Sequence, residues 1–236
     1  MIVSIKRRLH REICANPVLH GLVLNLYLNG EQYPHRVDDY FPVQAAPDAE
    51  LAAQMRSHLS DEDKHAAMYQ CAIKKLAQPV LDLSGPDIYN HVIRSHTKTS
   101  FAVRPSDRPG TRLLKLAHFF AHLYYLEKRV AGSLDIHAEA CAHSPLEYSR
   151  KVVAGVLRDE RRHVAYTRDA VYHLVPRRVA VQVLGEHRRA ERLANLEFSS
   201  QQLKKLVTMH AAHFSPLGHW LYRFSAHYLQ GAQKYA

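Results

Sequence analysis

Two stretches of the sequence, "LSDEDKHAAM" (residues 59–68) and "LRDERRHVAY" (residues 157–166), repeat one cassette: Leu-x-Asp-Glu-x-basic-His. Residues three apart on a helix share a face. Glu62 and His65 therefore point the same way, as do Glu160 and His163. One such cassette is a weak signal, but two, each inside a helical pattern, form a specific one.

The helical period dominates the rest of the chain, with no alternating run of strand length. Helices are expected over residues 17–41, 48–77, 111–142, from Ser144 to just before Pro176, 177–194 and 200–230. The fourth start rests on Ser144-Pro145-Leu146-Glu147, which has the form of a capping box with Pro at the first helical position. Between the second and third helices runs a long crossover punctuated by Pro79, Gly85, Pro86, Pro105, Pro109 and Gly110, with room for a short helix after Ser84. The expectation is one all-α domain over residues 1–236. Its bundle core is two helical hairpins (about residues 17–175) joined by the crossover, followed by additional C-terminal helices over about residues 177–230.

Of the 236 residues, 47% are hydrophobic and 23% charged, enough for a real core and unlike a disordered chain. Cys14, Cys71 and Cys141 are odd in number and far apart, without a Cys-x-x-Cys, so neither a disulfide framework nor a thiolate zinc site is expected. The first thirty residues pair basic and apolar positions but are interrupted by Pro17, His20 and Asn25. They read as an amphipathic core helix rather than a signal peptide or membrane span, which makes the cytoplasm the expected compartment. The net charge of +10 reads as a solvated basic surface, with nucleic acid a possible but less favoured partner.

If both cassettes build one site, the other helix of each hairpin should add a carboxylate at the same height, equally far from the turn. Reflecting Glu160 through His143-Ser144 gives Glu127. Reflecting Glu62 through Ala46-Pro47 gives Glu31. Glu127 sits in an apolar stripe with Phe120, Leu123, Val130, Ala131 and Leu134, where an unpaired carboxylate is costly. Asp135 and Glu139 are rivals at the wrong height. Four carboxylates against two divalent cations, completed by His65 and His163, balance in charge. Oxygen and nitrogen donors suit iron or manganese, with zinc also compatible. A metal-bound imidazole gives its other N–H to a carboxylate, so Asp61 is expected to orient His163, and Asp159 to orient His65.

On these residues the chain resembles the ferritin-like di-iron carboxylate proteins, whose ligand order is Glu, Glu-x-x-His, Glu, Glu-x-x-His. Here that order falls on Glu31, Glu62/His65, Glu127 and Glu160/His163. "GEQYPH", "HAAMYQCAIKKL" and "EYSRKVVAGVLRDERRH" look most like stretches of aldehyde-deformylating oxygenases. The resemblance implies a ferritin-like four-helix bundle with two iron ions (or manganese) and O₂ as co-substrate. It also implies a small or lipid-like organic substrate, a pocket near Phe119, Phe120 and Tyr124, and an external ferredoxin or reductase. The assembly is expected to be a monomer or homodimer. An iron oxidase or peroxide scavenger, and a tRNA-modifying di-iron hydroxylase, are the alternatives. His58, one turn before Glu62, reads as packing or as an extra ligand like the third histidine of aryl-amine N-oxygenases. Tyr27 and Tyr124, one turn before the lone glutamates, read as core tyrosines or as donors to a ligand. Cys71 reads as packing. Leu217, Trp220, Leu221, Phe224 and Tyr228 read as a core or dimer-contact stripe.

Overall fold

The computed structural model describes residues 2–37, 40–83, 89–104 and 106–235 and is all-helical over them. Eight α-helices follow in order: α1 (Ile2–Ala15), α2 (Pro17–Glu31), α3 (Ala49–Lys75), α4 (Tyr89–His96), α5 (Pro109–Ala140), α6 (Glu147–Leu174), α7 (Arg177–Met209) and α8 (Pro216–Gln233). The hairpins α2–α3 and α5–α6 pack on each other through α3 and α6. α1 lies on α5, α4 on α7, and α7 packs against α5 and α8. No described helix is long and apolar enough to cross a membrane.

Several helix boundaries differ from the sequence reading, each for a local reason. The N-terminal apolar run is two helices, not one. Asn16 caps α2, its side chain accepting from the Val18 and Leu19 amides (3.0 and 3.2 Å), and Pro17 takes the first position. α2 then stops at Glu31, ten residues short of the expected end at Phe41. Pro34 lacks an N–H and turns the chain into a 3₁₀ segment at Tyr33–Arg36. The expected capping box does not form. Ser144 Oγ accepts from the Leu146 amide (3.1 Å), and α6 begins only at Glu147. The break expected between residues 194 and 200 is absent: α7 runs through to Met209, with Ser200 Oγ bonded to the Glu197 carbonyl (2.8 Å) rather than capping a new helix, and the helix expected over 200–230 is instead divided before Pro216, where Ser215 caps α8. The start of the crossover helix after Ser84 lies outside the described residues; α4 is its described part. On α8, Leu221 packs inward, but Leu217, Trp220, Phe224 and Tyr228 are exposed, so the stripe is not core.

The interior is layered along the bundle. One apolar cluster holds Leu51 and Met55 of α3, Phe119, Phe120 and Leu123 of α5, and Val171 and Leu174 of α6. A second holds Leu24 and Leu28 of α2, Tyr69 and Ile73 of α3, Leu134 of α5, and Val153 and Val156 of α6. Between them, on α3, α5 and α6 alike, the buried residues turn polar: His58, Glu62 and His65; Glu127; Glu160 and His163. Glu31, at the end of α2, joins that band. The clusters on either side fix the height of the polar band.

Asn25 and Asn29, one turn apart on α2, hold the start of the crossover. Asn25 donates to the Pro79 carbonyl (3.0 Å) and accepts from the Leu81 amide (2.7 Å). Asn29 donates to the Leu81 carbonyl (3.1 Å) and accepts from the Leu83 amide (3.0 Å). Each amide side chain thus does for the extended segment what a neighbouring strand would do. Asn25→Leu should strand the Leu81 amide and cost about 1–3 kcal/mol, read as a lower urea midpoint at unchanged slope.

Candidate metal centre

Glu31, Glu62, His65 and Glu160 bring one donor atom each to within 4.8 Å of one another, and so do His58, Glu127 and His163. All seven are buried. The six residues expected from the cassettes and their reflections therefore converge, with His58 added. The rivals stay outside: Asp135 pairs with Arg161 (2.6 Å) and Glu139 with Arg7 (3.2 Å), both on exposed faces.

Two glutamates lie between the imidazoles. Glu160 is 3.7 Å from His65 Nδ1 through one oxygen and 3.4 Å from His163 Nδ1 through the other. Glu62 Oε1 is 3.2 Å from His58 Nε2 and 3.9 Å from His163 Nδ1. Glu31 stands at one end, 3.2 Å from His65 Nδ1, and Glu127 at the other, 3.5 Å from His58 Nε2. Two flanking and two central carboxylates thus outline adjacent positions for two cations.

The outer ring nitrogens are engaged as the sequence suggested. His163 Nε2 lies 3.3 Å from Asp61, and His65 Nε2 lies 3.3 Å from Asp159, each across the helix interface. That leaves both Nδ1 lone pairs facing inward. Arg162 bonds Asp61 (2.6 Å) and Asp159 (3.2 Å), and Lys64 bonds Asp159 (2.8 Å), so the aspartates also join a surface ion-pair network. The Lys64 and His65 hydrogen bonds outweigh burial and hold Asp159 at about 2, an ionised acceptor.

His58 is placed by a residue the sequence reading passed over. Its Nδ1 lies 2.6 Å from the Tyr166 hydroxyl, and its ring stacks on His163 at 3.7 Å. Tyr166 closes the second quoted stretch, three residues after His163 and hence on its face; that spacing was the available signal. The tyrosines that spacing favoured point elsewhere: the Tyr27 hydroxyl meets His137 (3.2 Å), and the Tyr124 hydroxyl accepts from Lys128 (3.4 Å). Cys71 is half-buried beside Tyr148.

The electrostatics are those of a crowded acidic site. Burial, then the Glu127 charge, pushes the Glu31 carboxyl up to about 8. Burial, then Glu31, does the same to Glu62. Burial and the Glu127 charge carry Glu160 well above the usual range. Burial would also raise Glu127, but the His58 imidazole 3.5 Å away holds it at about 2, while Glu127 and Glu62 override burial and lift His58 to about 9. Among the described residues, His58 Nε2, Glu62 Oε1, Glu160 Oε2 and His163 Nδ1 are buried with no hydrogen-bond partner. Buried polar atoms without partners are rare in folded proteins, and a bound ion is one of the few things that explains them. The oxygen and imidazole donors and the orphaned atoms fit two hard or borderline divalent cations.

A cavity of about 200 Å³ opens beside the centre, lined by Tyr40, Arg94, Phe101 and Phe119 among others. Phe41 packs on Tyr40 and Phe119 and lies 4.9 Å from the His58 ring, so it stands between cavity and site. Phe120 is fully buried and Tyr124 only half-buried; of the three aromatics expected at a pocket, Phe119 alone lines this one.

No family model, no curated protein and no solved structure matches this chain.

Carboxyls held protonated on folding stabilise the protein at low pH and lose that contribution as pH rises through their folded values. The raised imidazole of His58 acts in the same direction. With Glu31 and Glu62 raised from 4.5 to about 8 and His58 from 6.5 to about 9, metal-free protein should lose stability as pH rises from about 4.5 to about 9. Melting curves of chelator-treated protein should show a falling midpoint over that window, and iron(II) or manganese(II) should flatten the fall.

Proposed function

We propose that this chain is a ferritin-like non-haem di-iron oxygenase or oxidase, with a mixed manganese–iron pair as a variant, that uses O₂ to oxidise a small or lipid-like organic molecule. The observation that carries this reading is the buried polar band. Four carboxylates and three imidazoles from α2, α3, α5 and α6 converge between two apolar layers, and four of their buried atoms make no hydrogen bond. Glu31 with His65 would hold one cation, Glu127 with His163 and His58 the other, and Glu62 and Glu160 would serve both. The pair, when bound and reduced, would supply electrons to O₂.

The chain's own residues have definable tasks. Asp61 and Asp159 fix the His163 and His65 rings so that Nδ1 faces the cations. Tyr166 is placed to hold the His58 ring and to exchange a proton with its Nδ1. The apolar layers on both sides exclude water, which strengthens every charge interaction in the centre. Phe41 and Phe119 would present an apolar substrate beside His58, with Arg94, which lies over the Phe101 ring (5.0 Å), at the cavity wall. Reducing equivalents would come from a separate ferredoxin or reductase.

Purified protein reconstituted anaerobically should bind about two irons per chain and, after reduction, show an O₂-dependent optical band. Binding of fewer than one iron, or no response to O₂, would overturn the assignment. Glu160→Ala removes a shared carboxylate and should abolish stoichiometric binding of both ions. Asp159→Asn should weaken metal affinity about 10–100-fold, measured by competition with a chelator.

A further inference from the structure

We propose that Cys14, His20, His137 and Cys141 form a second metal site, a tetrahedral two-cysteine, two-histidine site for a structural zinc ion. It is independent of the carboxylate centre and of the activity assigned to it. The spacing of the cysteines gave no reason to expect a thiolate site. The fold supplies one by docking the α1–α2 turn against the end of α5. Cys14 lies at the end of α1 and His20 in the first turns of α2. His137 and Cys141 are four residues apart, one face of α5 continuing into a 3₁₀ turn.

The geometry is that of a ligand set. All four donor atoms lie within 4.8 Å of one another, and all four residues are at most 2% exposed. The two sulfurs are 4.0 Å apart, Cys14 Sγ is 3.5 Å from His137 Nε2, and His137 Nε2 is 3.1 Å from His20 Nε2. A zinc tetrahedron with bonds of about 2.3 Å to sulfur and about 2.0–2.1 Å to nitrogen has edges of about 3.8, 3.5 and 3.3 Å for these three pairings. The observed distances match within a few tenths of an ångström.

The outer ring atoms are held as metal ligands require. His137 Nδ1 meets the Tyr27 hydroxyl (3.2 Å) and His10 Nδ1 (3.3 Å), and His20 Nδ1 meets Ser144 Oγ (3.4 Å). Both Nε2 atoms are thereby turned to the same point as the sulfurs. Two thiolates offset the charge of one divalent cation. A mixed sulfur–nitrogen tetrahedron selects zinc over the metals that suit carboxylates. A disulfide between the cysteines is the rival outcome; it leaves two inward-facing buried imidazoles unexplained.

Zinc content of protein purified without chelator, together with cobalt substitution, tests the site. The expected result is about one tightly held zinc per chain, with a thiolate-to-cobalt charge-transfer band when cobalt replaces it. Glu160→Ala should keep that zinc while losing the other metals, and Cys141→Ser should lose the zinc and the band while still binding iron. If Cys141→Ser does not fold, the wild-type cobalt spectrum decides alone. Wild-type protein that takes up neither zinc nor cobalt with thiolate character, or a Cys14–Cys141 disulfide found in it by mass spectrometry, would overturn the proposal.

Discussion

Four glutamates that cannot all be charged in one dry space are the constraint on which the rest of this fold depends. Glu31, Glu62, Glu127 and Glu160 are each at least 93% removed from solvent, and each raises the cost of ionising its neighbours. Such an arrangement survives only if protons or cations neutralise it. The structure spends a whole layer of the bundle on it. Three helices each interrupt an apolar stripe at the same height, and a fourth ends there. A helix slid by one turn against its partner would bring a carboxylate into the Leu and Val layers, so the polar band and the apolar clusters enforce each other's register.

The centre is not symmetric, and the asymmetry comes from one imidazole. Both cassettes supply Glu-x-x-His, but only the first has a histidine a turn earlier. At the matching position of the second cassette stands Val156, fully buried in the apolar cluster. His58 stacks on His163, bonds Tyr166 and offsets Glu127. The Glu127 end is therefore richer in nitrogen and has a phenol within reach, while the Glu31 end has one imidazole. A pair of cations held here would be inequivalent, and the Tyr40–Phe119 cavity lies on the His58 side.

The centre was more legible in the sequence than the helix boundaries. Equal distance from a turn translates into equal height where both arms are helical, which is why reflection of Glu160 finds Glu127; Glu31 falls at the right height although the described chain between it and α3 holds only 3₁₀ segments, so constant rise does not account for it. The crossed pairing of Asp61 with His163 and Asp159 with His65 was legible because each aspartate precedes its glutamate and points to the neighbouring helix, where a metal-bound imidazole needs a carboxylate for its other nitrogen. What failed depended on hydrogen bonds that spacing does not encode. Ser144 bonds a nearer amide than the box predicts, and Ser200 bonds back into its own helix. Cys14 and Cys141 lie 127 residues apart, and only the docking of α1 along α5 joins them.

Helices α2 and α5 carry donors to both groups, and this sets how they divide the work. His20 and Glu31 are eleven residues apart, about 16 Å along a helix, and Glu127 and His137 are ten apart, about 15 Å. Two helices thus give nearly the same separation independently, as two rigid sites on one pair of rods would. One group offers oxygen and imidazole, the other sulfur and imidazole. Those sets prefer different cations, since thiolates favour zinc and carboxylates favour iron or manganese at comparable supply. Sorting donors by type along shared helices would let one chain hold two kinds of metal without exchange between them. The sulfur site then clamps the N-terminal end of α2, whose other end carries Glu31, to the C-terminal end of α5. Fixing the α1–α2 turn would thus fix the start of the helix whose last residue is Glu31.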